Sequence, residues 1–126
     1  PLGATKNFRD LLYVGNLVDF LIVCACHSAA NGHTYLVSDG TPVSTHALLR
    51  GLARALGVPS RLLPVPPFLL QMLGNVTGST AEFERLLSSL RVDSSKVYRE
   101  LDWYPPFTLR QGLKATADWY RSVHPN

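Results

Sequence analysis

Cysteine is almost absent: of 126 residues, only Cys24 and Cys26 carry a thiol. They lie two apart in a segment of helical pattern, where side chains at that spacing point about 200° apart around the axis, so they cannot bridge each other. Read as small apolar fillers in a reducing compartment, they exclude a disulfide-stapled secreted domain. Long hydrophobic runs are missing too. The longest, Phe20 to Cys26, is far short of the ~20 residues a membrane span requires, and no charged-then-apolar leader opens the sequence. A cytoplasmic protein with no membrane partner is expected, and Asn75-Val76-Thr77 is read as a chance glycosylation sequon. Nor is charge of one sign in large excess. A net +3 spread along the chain does not point to nucleic acid, and it would not repel a phosphate ligand.

Catalytic motifs are also missing. No Gly-x-Gly-x-x-Gly, P-loop or Gly-x-Ser-x-Gly element occurs, and Gly74-Asn75-Val76-Thr77-Gly78 has neither the spacing nor the preceding strand of a phosphate cradle. No tyrosine is followed four positions later by lysine. His27, His33, His46 and His124 are scattered, with no pair at the spacing of helical metal ligands. The carboxylates have structural work: Asp39 as a turn former, Asp93 as a cap, Glu82 and Glu84 near the positive end of a helix. No catalytic, cofactor-binding or metal-ligating residue is therefore expected in this chain. Ser44 to Ser60 has the small residues and the Gly57 turn of a helix-turn-helix DNA reader, but Pro64, Pro66 and Pro67 would break its recognition helix after about one turn.

What is present is a folding composition, 46% hydrophobic and 17% charged, enough at this length for a sizeable core without staples. Arg9 to Val14 reads as a strand, with Asn16 as N-cap of a helix over about residues 17–28. That helix is apolar around its whole circumference, with Asp19 and His27 its only ionisable residues, and such a helix requires burial on every side. A second strand, Thr34 to Ser38, ends at Asp39-Gly40. Ser44 then caps a helix to Leu56 with Leu48, Leu49, Leu52, Ala53 and Leu56 on one stripe and Gly57 as its stop. A third strand, Arg61 to Val65, precedes a Pro66-Pro67 helix start. Strand-helix alternation of this kind predicts an α/β layer with parallel strands. Three more helices follow: one boxed by Ser79 and Glu82 and running through Leu90, one capped by Asp93, and one boxed by Thr108 and Gln111 with Leu109, Leu113, Ala117 and Tyr120 on one face. Trp103 and Trp119 read as packing anchors.

Four stretches, in order, resemble the C-terminal part of the extended short-chain dehydrogenases, the NAD-dependent epimerase/dehydratase family of nucleotide-sugar enzymes. They are Arg9 to Asp19, Thr34 to Thr45, Leu86 to Ser95, and Ser95-Lys96 through Trp103, Pro105, Leu109 and Gly112-Leu113. Two positions depart from the family pattern: Gly15 stands where an aspartate is usual, and Phe83 stands where many epimerases carry an arginine, whose nearest replacement is Arg85.

The resemblance implies a fold and a division of labour. The fold class would be α/β, a small βαβαβ-type layer with additional C-terminal helices, forming the C-terminal lobe of a Rossmann-fold sugar-nucleotide enzyme. Residues 1–126 would be a single substrate-binding region. Since the chain begins at Pro1, the dinucleotide fingerprint and the catalytic Tyr-x-x-x-Lys pair are expected upstream, and this chain alone is expected neither to bind NAD nor to turn over substrate. The intact protein would pass hydride from the sugar C4 to NAD through a 4-keto intermediate and return it, a 4-epimerase. A dehydratase, or a 4-keto reductase using NADPH, is the alternative within the family, and a non-catalytic ligand-binding or interaction module is the alternative outside it. A UDP-sugar or related nucleotide sugar is the implied partner, with bacterial surface polysaccharide as the usual destination. Arg9 is the implied contact to the diphosphate, because a guanidinium fork matches phosphate oxygens, and Arg85 is a second candidate. The all-round apolar helix would pack on the upstream nucleotide domain. Left bare, it would favour self-association, so a homo-oligomer is expected.

Overall fold

The computed structural model describes residues 7–60 and 88–124. Among them the ordered elements are four α-helices and a short 3-10 turn: α1 (Val14–Cys26), the turn Ser28–Ala30, α2 (Thr45–Leu56), α3 (Ser95–Leu101) and α4 (Leu109–Val123). Contacts divide the chain into two compact units, one from Pro1–Arg9 and Val43–Leu90, the other from Asp10–Pro42 and Arg91–Asn126.

In the first unit, α2 has the ends that its sequence predicts. The Ser44 hydroxyl accepts from the Ala47 amide, and Gly57 closes the helix in the left-handed conformation, φ 71°, which glycine adopts without a Cβ clash. The leucine stripe is half-buried while Arg50 and Arg54 face solvent. Beside α2 runs a three-stranded crossing with one residue from each chain segment: Arg9 bridges Val43 in antiparallel sense and Leu90 in parallel sense. These isolated bridges are the sheet-like pairing formed among the described residues. The helix expected to run through Leu90 does not reach that residue, because the Leu90 amide donates to Phe8 O at 3.0 Å. The third expected strand, Arg61 to Val65, and the helix after it lie outside the described residues.

In the second unit, the core is Phe20, Val97, Leu101 and Trp103, with Val23, Cys24, Ala30, Tyr35 and Val37 packed against it. Phe20 meets Trp103 edge to face at 5.1 Å between ring centres, and burying each of these rings is worth roughly 1.5–3 kcal/mol. Trp103 donates its indole N–H to Asp19 Oδ2 at 2.7 Å, so its polar atom is satisfied. Trp119, by contrast, is 62% exposed and is no packing anchor. Tyr120 is also largely exposed and stacks on His124 at 4.5 Å.

α1 starts earlier than its sequence predicts. Tyr13 is the N-cap, and Val14 and Asn16 are inside the helix. Asn16 cannot cap because its side chain is fully buried and already engaged, as described below. The expected strand from Arg9 therefore shrinks to the Arg9 bridges. Thr34 to Ser38 forms no ladder; Asp39 N to Leu11 O, 2.8 Å, is the backbone bond beside it. The expected βαβαβ layer is thus not formed among the described residues, where only the isolated Arg9 bridges pair.

The cap of α3 is shifted by one residue. Ser94 is the N-cap without a side-chain capping bond, its hydroxyl being paired with Ser38 Oγ at 3.0 Å, and Asp93 accepts from the Ser95 amide at 2.9 Å. That backbone bond holds the Asp93 carboxyl below its ordinary pKa. The Thr108–Gln111 capping box of α4 is fully formed. Cys24 and Cys26 are unpaired.

Candidate functional site

Arg9 is held from both sides by backbone. Its N–H donates to Val43 O and its C=O accepts from Val43 N, both at 2.9 Å, while Phe8 and Leu90 pair on its other flank. This fixes the Cα and the direction of the side chain. The guanidinium is then engaged along one edge: Nε donates to Ser88 O at 3.1 Å and Nη2 to Ser88 Oγ at 3.0 Å. The other edge, Nη1 with the second Nη2 proton, has no partner among the described residues. Ser88 is itself anchored. Asn7 Nδ2 donates to Ser88 O at 3.4 Å and to Thr45 Oγ1 at 2.8 Å, and the Phe8 amide donates to Ser89 Oγ at 3.1 Å. A guanidinium carries five N–H donors in a planar fork that matches two oxygens of a carboxylate or phosphate. The outer edge of the Arg9 fork is therefore held in a set direction by the bonds along its inner edge. Arg85, the other residue singled out from sequence, lies outside the described residues.

The second unit has its own polar node, centred on Asn16. Its amide nitrogen donates to Asp39 Oδ1 at 2.7 Å and to Phe107 O at 2.9 Å, and its amide oxygen accepts from Phe107 N at 2.9 Å. Asp39 accepts in addition from the Tyr13 amide, 3.1 Å to each carboxylate oxygen. Asp39 is thus more than the turn former expected, because it ties the start of α1 to the turn ahead of Gly40. Every strong hydrogen-bonding group of this node is satisfied, so it reads as a structural lock and offers no general base.

Beside that node, Tyr13, Val14, Gly15, Val18, Asp19, Ile22 and Phe107 line an open groove of about 390 Å³. Its one carboxylate, on Asp19, is the acceptor of the Trp103 indole. The Tyr13 ring lies over Gly15 so closely that a Cβ there would stand 2.5 Å from it, and a Cβ on Gly112 of α4 would stand 2.9 Å from the same ring. Gly15 thus leaves room for the Tyr13 ring against the first turn of α1. Among the described residues no group of three potential metal ligands comes together, and no helix is long and apolar enough to cross a membrane.

No family model matches the chain, and no solved structure matches it. Curated proteins do. The chain is 42% identical over 118 residues to a UDP-glucose 4-epimerase of Vibrio cholerae, covering 93% of this chain and 36% of that protein. It is 28% identical to an N-acetyl-alpha-D-glucosaminyl-diphospho-ditrans,octacis-undecaprenol 4-epimerase of Escherichia coli O157:H7, covering 98% of this chain and 40% of the relative. A UDP-glucose 4-epimerase of Mycolicibacterium smegmatis is 28% identical over 95% of this chain and 33% of its own length. The class these similarities define is that of the short-chain dehydrogenase-type sugar epimerases. Within it, the chain belongs to the epimerase family and corresponds to the C-terminal part of its members. It spans between a third and two fifths of the length of these curated relatives.

The clasp of Ser88 on Arg9 and the burial of Asn16 carry no local signal in the sequence: Ser88 is one serine of the Leu86 to Ser95 stretch, and Asn16 has the pattern of an N-cap.

Proposed function

We propose that the protein containing this chain is an NAD-dependent 4-epimerase of a sugar joined to its carrier through a diphosphate, and that residues 1–126 form part of its substrate-binding region. The observation that carries the reading is the Arg9 guanidinium, fixed by backbone and by Ser88, with one fork edge that has no partner among the described residues. The names of the relatives point the same way. UDP-glucose and a glucosaminyl-diphospho-undecaprenol have different carriers, a nucleoside and a lipid, and share the sugar diphosphate. A fork that grips two phosphate oxygens recognises the shared part.

The described residues do not fit a dinucleotide. The first turn of α1 has a glycine, Gly15, but the Tyr13 ring fills the space above it, so no phosphate cradle forms there. The cofactor would supply the hydride acceptor and donor from elsewhere in the protein. This chain's task is to bind and orient: Arg9 neutralises and aligns the diphosphate so that the sugar is presented in one register. Arg85 is proposed as a second phosphate contact on sequence grounds. A soluble cytoplasmic homo-oligomer completes the reading.

In the protein as encoded in full, Arg9→Ala should raise KM for a UDP-sugar by about 10- to 100-fold, the scale of a lost charge-assisted contact, and leave the constant for NAD unchanged. Steady-state kinetics with both substrates varied decides. An unchanged sugar-nucleotide KM removes Arg9 from the site.

A further inference from the structure

We infer that Ser88 is a positioning residue for substrate: it takes up the Nε/Nη2 edge of Arg9 and so presents the Nη1/Nη2 edge to a diphosphate. The inference rests on the reading of Arg9 as the diphosphate contact. An arginine on a surface ordinarily loses much rotamer freedom when it binds an anion, and that entropy is subtracted from affinity. Here the two bonds to Ser88, 3.1 and 3.0 Å, hold the fork before any ligand arrives. They use different chemistry. The Nε bond goes to a backbone carbonyl that any residue at position 88 would supply, whereas the Nη2 bond requires a side-chain hydroxyl.

The rigidity of Ser88 is built in the same way. Its neighbour Ser89 accepts from Phe8 N, and Leu90 N donates to Phe8 O at 3.0 Å. The segment carrying Ser88 is therefore stitched to the segment carrying Arg9 along three consecutive residues, 88–90 against 7–9. With both backbones tied, the Ser88 hydroxyl sets the rotation of the guanidinium plane, since one bond to Nε alone leaves the plane free to tilt about the Nε–O direction. A hydroxyl that bonds Nη2 also keeps one N–H of that nitrogen for the ligand, so the fork remains bidentate at its outer edge. The arrangement separates the cost of ordering the arginine from the act of binding.

The test uses the protein as encoded in full and UDP as the probe, with Kd from calorimetry. Ser88→Ala should weaken UDP binding about 3- to 10-fold, the scale of one orienting hydrogen bond. Ser88→Thr, which keeps the hydroxyl, should restore most of it. On an Arg9→Ala background the Ser88→Ala change should have no further effect, because its only route to the ligand is gone. In kinetics with a UDP-sugar, the Ser88→Ala loss should fall on KM with kcat within about twofold. If Arg9→Ala weakens UDP binding and Ser88→Ala does not, the inference fails and the reading of Arg9 stands. If Ser88→Ala weakens binding equally with and without Arg9, Ser88 acts by itself and the inference fails. If Arg9→Ala leaves UDP binding unchanged, or the native protein does not bind UDP, both fall together. Thermal melting of each variant checks folding, and a Ser88→Thr protein that melts with the native one yet binds like Ser88→Ala would equally overturn the inference.

Discussion

On one side of α1, Asn16, Phe20, Val23 and Cys24 turn inward; on the other, Val14, Val18, Leu21 and Ile22 stand between 51% and 64% exposed. Both sets follow the same helical spacing, i, i+4, i+7, i+8, and they are offset by two residues, about 200° around the axis. By periodicity alone they are equivalent, and by apolarity the exposed set is the better core, since the buried one begins with an amide. The difference between them is what they meet. The inward stripe faces the Trp103 ring and the Asp39–Phe107 polar node, where Asn16 makes three bonds. The outward stripe meets a groove edge and solvent. A buried polar residue with all its partners in place outweighs an aliphatic stripe with none.

Substitutions at each face test that contrast. The largest effect is expected at Trp103: Trp103→Ala removes the ring that covers Phe20 and orphans the Asp19 carboxylate, costing about 3–5 kcal/mol in urea unfolding. A loss below about 1 kcal/mol would mean that the inward face is not the core. Next comes Asn16→Ala, which takes from Asp39 and from the Phe107 amide and carbonyl their part-buried bonds to Asn16 and should cost about 2–3 kcal/mol. If the same measurement shows no loss, the polar node contributes nothing to the choice of face. The smallest effect on stability belongs to Ile22→Glu on the outward face, within about 0.5 kcal/mol. Its readout is sedimentation at rising concentration, where the native chain should self-associate through exposed apolar surface and the variant should do so less. A native chain that stays strictly monomeric, or a variant that unfolds, would show that this stripe is already covered.

Local signals are legible in the residues themselves. Ser44, Gly57 and the Thr108–Gln111 box form as read, because a cap is settled within one helical turn by side chains that reach their own backbone. The family was likewise legible, from residue identities in order. The strands were not. Arg9 to Val14 and Thr34 to Ser38 have the composition of strands, but a ladder exists only where a second chain segment lies alongside, and Tyr13 found the Asp39 carboxylate as its partner instead. Trp119 misled for the same reason: a large aromatic has a strong tendency to be buried, yet nothing arrives over it in the described part of the chain.

The amino-acid order by itself determined where α2 and α4 begin, where α2 stops, and that the two thiols stay apart. Tertiary structure alone decided which stripe of α1 is core, that Asn16 locks the Asp39–Phe107 node and does not cap a helix, and that Ser88 clasps Arg9 from 79 residues away. The reason is range. Capping and turn preferences act over a few bonds, while burial and the direction of a guanidinium depend on which distant backbone comes to lie against them.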